Sequence, residues 1–260
     1  MRKAFLSAAG ALLLGLGAAQ AAEGPALPHE KWSFDGVFGT YDPAALQRGF
    51  QVYQEVCSAC HGLYQLSYRD LSALGYSPEQ IAAIASEKQV KDIAASVQIT
   101  DGPNDAGDMF ERPGKASDRF KAPFANEQAA RAANNGAHPP DLSMVVKARE
   151  GGPDYVYGIL TGYKDPPPDF KLQDGMNYNE HFPGHQIAMP KPLNEGQLTF
   201  ADNAPNSLPE EAKDVATFLT WAAEPNLEQR HRTGVKTMLF LIVGTVVFYV
   251  FKRRVWADIH

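Results

Sequence analysis

The residues best equipped for chemistry stand together at Cys57-Ser58-Ala59-Cys60-His61, and they include both cysteines of the sequence. The C-x-x-C-H spacing is that of a c-type haem attachment site. Two thiols at this separation lie along one edge of a porphyrin and form thioethers with its vinyl groups. His61 follows at once, so its imidazole can turn under the ring and bind iron. A thioredoxin-like redox pair would need a βαβ setting, and a zinc site a second cysteine pair. The sequence offers neither. With both thiols used, no disulfide remains for an exported chain.

A low-spin electron-transfer haem needs a second axial ligand, methionine or histidine. The candidates are Met109, Met144, Met176 and Met189, with His138, His181, His185 and His231. Met144 reads as core packing from a helix capped by Asp141. Met109, next to Phe110, reads equally well as packing. Met189 differs, because Ile187-Ala188-Met189-Pro190-Lys191-Pro192 is proline-stiffened and a residue before proline avoids the helical region. Such a loop can hold a thioether against iron. Spacing therefore favours Met189, with His185 next. Methionine raises the reduction potential relative to bis-histidine ligation and closes the iron to substrates. That points to electron transfer and away from oxygen or peroxide chemistry at an open iron.

These residues need helices to hold them. Asp42 caps a helix with Pro43 at its first position. Leu46, Phe50, Tyr53 and Cys57 then share one face, and Gly49 would let another helix approach closely. Ser77-Pro78-Glu79-Gln80 reads as a capping box with Ile81, Ile84 and Ala85 behind it. Residues 101–121 read as loop. Asn126 caps a helix to Ala133, stopped by Asn134-Asn135-Gly136. His138-Pro139-Pro140-Asp141 is a stiff turn into a helix over 142–149. Gly151-Gly152-Pro153 breaks it, and a short helix follows to Leu160. Residues 162–190 form a long loop, a length that usually serves function. Ser207 and Glu210 read as a further capping box. Val215, Phe218, Leu219 and Ala222 give an apolar stripe beside Trp221. That helix is expected to cross the first one and cover a haem edge. No strand-rich region and no internal repeat stands out.

The 260 residues suffice for one large domain or two small ones, and 44% hydrophobic residues allow a packed core. Arg2, Lys3, an apolar stretch and Ala19-Gln20-Ala21 resemble a cleavable secretory signal over 1–21. Residues 22–231 are then the exported domain. Residues 232–252 read as a membrane span, uncharged from Met238 to Phe251. Lys252, Arg253 and Arg254 would stay cytoplasmic at the head of a tail over 253–260. The whole chain carries −6. The 22–231 stretch keeps every acidic residue except Asp258 but lacks seven of the 24 basic ones, which leaves it at −12. Such a surface attracts basic partners and repels nucleic acid.

Several stretches together resemble the cytochrome c1 family. They are Val56–His61, Arg112-Pro113-Gly114-Lys115 with Asp118, Ala129–Ala137 running into Pro139–Ser143, Lys147-Ala148-Arg149, Asp154-Tyr155-Val156, Leu160-Thr161-Gly162-Tyr163 and Ile187–Leu193. The resemblance covers most of the chain after Tyr41. It implies an all-α, class I cytochrome c-like domain with long loop insertions and one C-terminal transmembrane helix. It implies one covalent haem c, with His61 and Met189 as iron ligands. Arg149 would pair with a haem propionate, a carboxylate that suits a bidentate guanidinium. Tyr155, Asn134 and Pro140 would line the pocket. The implied partners are a Rieske iron–sulfur protein as donor, a soluble cytochrome c as acceptor and a haem-b cytochrome b subunit alongside. The haem domain would be periplasmic on a bacterial inner membrane, and the polypeptide would make and break no bonds itself. A different tethered mono-haem cytochrome, feeding a terminal oxidase or reductase, would share the motif and the anchor. Some family members brace the loop before the axial methionine with a disulfide. This chain has no cysteine to spare for one.

Overall fold

The computed structural model describes residues 25–86 and 98–257. The expected secretory signal lies outside them. Seven α-helices among the described residues carry the fold. They are α1 (Pro43–Glu55), α2 (Pro78–Ser86), α3 (Glu127–Ala133), α4 (Val145–Ala148), α5 (Pro153–Thr161), α6 (Leu208–Ala223) and α7 (Leu227–Val255). Two antiparallel ribbons sit between them, β1 (Gln98–Asp101) with β2 (Phe110–Pro113), and β3 (Asn177–Tyr178) with β4 (Gln186–Ile187).

The crossing of α1 with α6 is the centre of the core. Asp42 caps α1 through the Ala44 amide at 2.9 Å, with Pro43 in its first turn. Gly49 is the contact point. A Cβ there would lie 2.1 Å from the Asp214 carbonyl oxygen and 2.7 Å from Phe218 Cβ, so only glycine fits. Arg48, one residue away, grips both Asp214 oxygens at 2.6 and 3.1 Å and reaches Asp202 at 2.8 Å. Around the crossing, Phe50, Tyr53, Phe120, Phe218 and Trp221 pack ring on ring at 5.5–6.3 Å. Full burial of each apolar side chain stabilises by roughly 1.5–3 kcal/mol. Phe120 is brought in by a strap. The Tyr68 amide donates to the Asp118 carbonyl, the Arg69 amide to Ala116 and the Phe120 amide to Leu66. Helices α4 and α5 pack on α6 as well.

The N-terminal arm is tied down through Asp154 at the start of α5. Its carboxylate accepts from Trp32 Nε1 at 2.7 Å, from the Glu30 amide at 3.1 Å and bonds His29 Nδ1 at 2.8 Å.

Four expectations need correction. Ser207 makes no capping bond; the Leu208 amide donates to the Glu195 carboxylate at 3.2 Å, a charged acceptor brought from the preceding loop. The helix expected over 142–149 forms only from Val145, because the Asp141 carboxylate is divided between the Ser143 amide at 2.9 Å and the Tyr64 amide at 2.8 Å. Met144 therefore sits at the outer end of a one-turn helix and is 44% exposed, and Met109 beside the ribbon is 60% exposed; neither is core packing. The 101–121 segment is partly a hairpin. Arg112 pins it, bonding Asp101 at 2.5 Å and both Asp118 oxygens at 2.7 and 2.9 Å.

Helix α7 is long and apolar enough to cross a membrane, and none of its most apolar stretch is buried among the described residues.

Candidate haem site

Helix α1 delivers the first half of the site. Its last turn runs into a 3-10 turn over Cys57–Ala59. The Cys60 and His61 amides both donate to the Cys57 carbonyl, at 3.1 and 2.9 Å. Ser58 Oγ donates to the Gln54 carbonyl at 2.7 Å and Tyr53 OH to the His61 carbonyl at 3.0 Å. Both ends of the motif are thereby fixed to the helix. Cys57 and Cys60 are free thiols, without a disulfide. Burial, with Cys60 alongside, pushes the Cys57 thiol up to about 12. A redox-active pair needs a depressed thiol pKa, so this environment speaks against that use.

His61 is oriented from across the chain. Its Nδ1 lies 2.7 Å from the Pro140 carbonyl. A carbonyl only accepts, so Nδ1 holds the proton and Nε2 keeps its lone pair for a metal. Burial lowers the imidazole pKa, opposed by the Pro140 carbonyl and by Asp141. The 140–143 segment is fastened alongside. The Leu142 amide donates to the Gly62 carbonyl at 2.9 Å, the Tyr64 amide to Asp141 at 2.8 Å and the Gln65 amide to Ser143 Oγ at 3.1 Å.

The second half lies on the loop after α5. Met189 is half-buried, and its carbonyl accepts from Tyr163 OH at 3.0 Å and from Asn177 Nδ2 at 3.3 Å. Asn179 clamps this loop to α5. It is fully buried. Its Nδ2 donates to the Ile159 carbonyl at 2.8 Å, its Oδ1 accepts from the His181 amide at 3.0 Å and its own amide donates to the His185 carbonyl at 3.1 Å. A Cβ at Gly162 would stand 2.7 Å from Asn179 Oδ1, so glycine is required for that approach. A buried amide side chain thus braces the loop that has no disulfide.

Arg149 lies 5.8 Å from the Tyr155 ring centroid, a cation–π contact. No carboxylate of the described residues pairs with its guanidinium. Burial raises the Tyr163 hydroxyl pKa, and Tyr155 adds to the shift, which places the two phenols within electrostatic range. Arg149, Tyr155, Tyr163 and Met189 thus form one connected group. Cys57, Cys60, His61 and Pro140 form the other. Both rest on α6, through α1 on one side and through α4 and α5 on the other. Asn134 joins neither by a direct bond; its Nδ2 donates to the Ala130 carbonyl at 2.7 Å and closes α3. Pro140 takes part through its carbonyl. His185 stacks on Tyr178 at 5.8 Å, with Phe170 edge-on at 6.4 Å.

These residues fit a haem c. Two thiols without a disulfide, an imidazole whose Nε2 meets no partner among the described residues, a guanidinium with no carboxylate among them and a clamped methionine are the donor set such a group requires. The supporting roles of Tyr163, Asn177 and Asn179 are not readable from the sequence. Their signal is a set of long-range bonds to backbone carbonyls, which no local pattern reveals.

A helical domain built around a Cys-x-x-Cys-His turn, with one terminal apolar helix, defines the class: a class I cytochrome c-like fold. Comparison with known proteins narrows it. Residues 32–259 match the model of the Cytochrome C1 family. Cytochrome c1 of Rhodospirillum rubrum is 43% identical over 99% of this chain and 97% of its own length. Cytochrome b/c1 of Bradyrhizobium diazoefficiens is 48% identical over 98% of this chain, which spans 39% of that longer protein. A mitochondrial cytochrome c1 heme protein of Arabidopsis thaliana is 44% identical over 92% of this chain and 75% of its own length. The chain belongs to the Cytochrome C1 family.

Proposed function

We propose that this chain is the mono-haem electron-transfer subunit of a ubiquinol–cytochrome c reductase. It takes electrons from a Rieske iron–sulfur protein and passes them to a soluble cytochrome c, beside a cytochrome b subunit. The observation that carries the reading is the setting of His61, oriented through Nδ1 by the Pro140 carbonyl directly after two free thiols, within a chain of this family. When bound, a haem c supplies a one-electron iron couple.

The chain's own residues do the rest. Cys57 and Cys60 would hold the group by thioethers. His61 Nε2 and the Met189 thioether, steadied by Tyr163 and Asn177, would bind its iron. Arg149, lying over Tyr155, would pair with a carboxylate of the group. Asn134 and Pro140 line the pocket. Helix α7 anchors the domain, with a signal over 1–21, a periplasmic domain over 22–231, a span over 232–252 and a cytoplasmic tail over 253–260. The −12 charge of the exported stretch steers a basic acceptor to the haem edge.

The test is purification from membranes under mild detergent. The expected result is a polypeptide that keeps its haem after denaturing electrophoresis and co-purifies with a haem-b subunit and a Rieske protein. Isolation with a terminal oxidase instead would overturn the assignment to this complex.

A further inference from the structure

The exposed apolar turn over residues 36–39 is a feature that electron transfer leaves unexplained. Phe38 is 83% exposed and Val37 63%, and Phe38 is the most exposed large apolar side chain among the described residues. The turn is rigidly built. The Asp35 amide donates to the Trp32 carbonyl at 3.2 Å, the Thr40 amide to Ser33 at 3.0 Å and the Gly39 amide to Gly36 at 3.3 Å. Gly36 has φ +76°, and a Cβ at Gly39 would strike the Phe34 carbonyl carbon at 2.2 Å. Beneath the tip, Phe34 stacks on Trp32 at 5.5 Å and leans on Tyr41 at 5.4 Å. The inward rings hold the turn, and the outward pair is displayed.

The place of the turn says what it faces. The Tyr41 amide donates to Glu228 Oε1 at 3.0 Å, and the Gly39 carbonyl meets His231 Nδ1 at 3.4 Å. Going back from Tyr41 to Gly39, the chain descends from residue 228 to residue 231 of α7, about 4.5 Å along the helix toward its apolar part. Phe38 and Val37 come next along the chain, at the tip of the turn. His231 stands seven residues before Met238, where the uncharged run begins, so about 10 Å separates them. A bilayer of ~40–45 Å around a ~30 Å apolar core leaves roughly 5–8 Å of headgroup layer on each side. Gly39 thus stands a few ångström outside the headgroup layer, a gap that a phenylalanine side chain at the tip can span. Arg232 and Lys236 lie exposed one and five residues past His231, with charge that suits lipid phosphates. Apolar tips beside cations are a chemistry that favours a membrane interface.

We propose that the Val37–Phe38 turn is a second membrane contact, a rigid foot in the outer headgroup layer that fixes the tilt of the haem domain over the bilayer. This rests on the membrane-spanning reading of α7. The test uses the full-length, haem-loaded chain in phospholipid nanodiscs, with a nitroxide on Phe38→Cys and, in case that variant folds poorly, on Val37→Cys. Phe248→Cys reports the bilayer interior and Met109→Cys the water phase, and the chain without an added cysteine gives the labelling background. The expected result is that the label at 38 or 37 meets dissolved oxygen readily and meets a water-soluble nickel chelate severalfold less than the label at 109. Nickel access equal to that at 109, with 248 shielded, would overturn the foot while leaving the anchor intact. Shielding from both probes only when the other subunits are present would make the occupant a protein and overturn the proposal as well. Nickel access at 248 would overturn the spanning reading, and the foot with it.

Discussion

The side chains that hold the proposed iron ligands do so mainly through backbone carbonyls. Pro140 orients His61 through its carbonyl, and Tyr163 holds Met189 at the Met189 carbonyl. Carbonyl contacts of this kind leave no mark on residue type. The proposed ligands are marked in the sequence by the local C-x-x-C-H motif and by the proline-stiffened loop around Met189. The clamp was not, because Asn179 reaches Ile159 across 20 residues. Its replacement by alanine leaves the Ile159 carbonyl unpartnered in the interior, at a cost of roughly 1–3 kcal/mol, and frees the part-buried His181 amide. Asn179→Ala is expected to lower the denaturant midpoint and to weaken methionine ligation before the rest of the domain unfolds. Paired unfolding curves, one from tryptophan fluorescence and one from the haem spectrum, check this. Coincident curves at the wild-type midpoint would mean that the loop is held by something else.

Among the elements, the α1–α6 crossing and the Arg112 strap make separate predictions. Gly49→Ala places a Cβ against the Asp214 backbone, which cannot swing aside as a flexible side chain could. The cost belongs at the upper end of the ~1–3 kcal/mol typical of overpacking, and thermal unfolding of the haem-loaded protein would show it. An unchanged midpoint would contradict the close crossing. In the strap, the Arg112 guanidinium holds the Asp118 carboxyl down at about 2. A depressed carboxyl stabilises the fold fully above its unfolded pKa of about 4, and that contribution is lost as pH falls through about 2. The strap over 112–120 is thus expected to loosen between about pH 4 and pH 2, and Asp118→Asn to remove that titration. Amide exchange of Tyr68 and Phe120 reads it directly. Caps that act locally were legible at Asp42, Ser77 and Asn126. Ser207 failed because Glu195, distant in sequence, supplies the stronger acceptor. The β1–β2 hairpin was missed because its strands, rich in charge and ending in proline, carry no clear alternation.

For the whole molecule, the elements that carry the two halves of the proposed site all pack on α6, and the domain continues into one apolar helix. That layout was largely readable, since the charge division and the terminal apolar run are compositional. Electron transfer to a basic soluble cytochrome should slow as salt shortens the Debye length from about 30 Å at 0.01 M to about 10 Å at 0.1 M. A rate independent of ionic strength would remove the steering role from the acidic surface. The central claim is a haem held by two thioethers and closed by His61 and Met189. Its most direct test is the near-infrared absorption of the oxidised protein, wild type against Met189→Leu. The account predicts a sulfur-to-iron charge-transfer band in the wild type that vanishes in the variant while the haem stays covalently attached; a band that survives in the variant, or thiols that remain free in the matured protein, would contradict it.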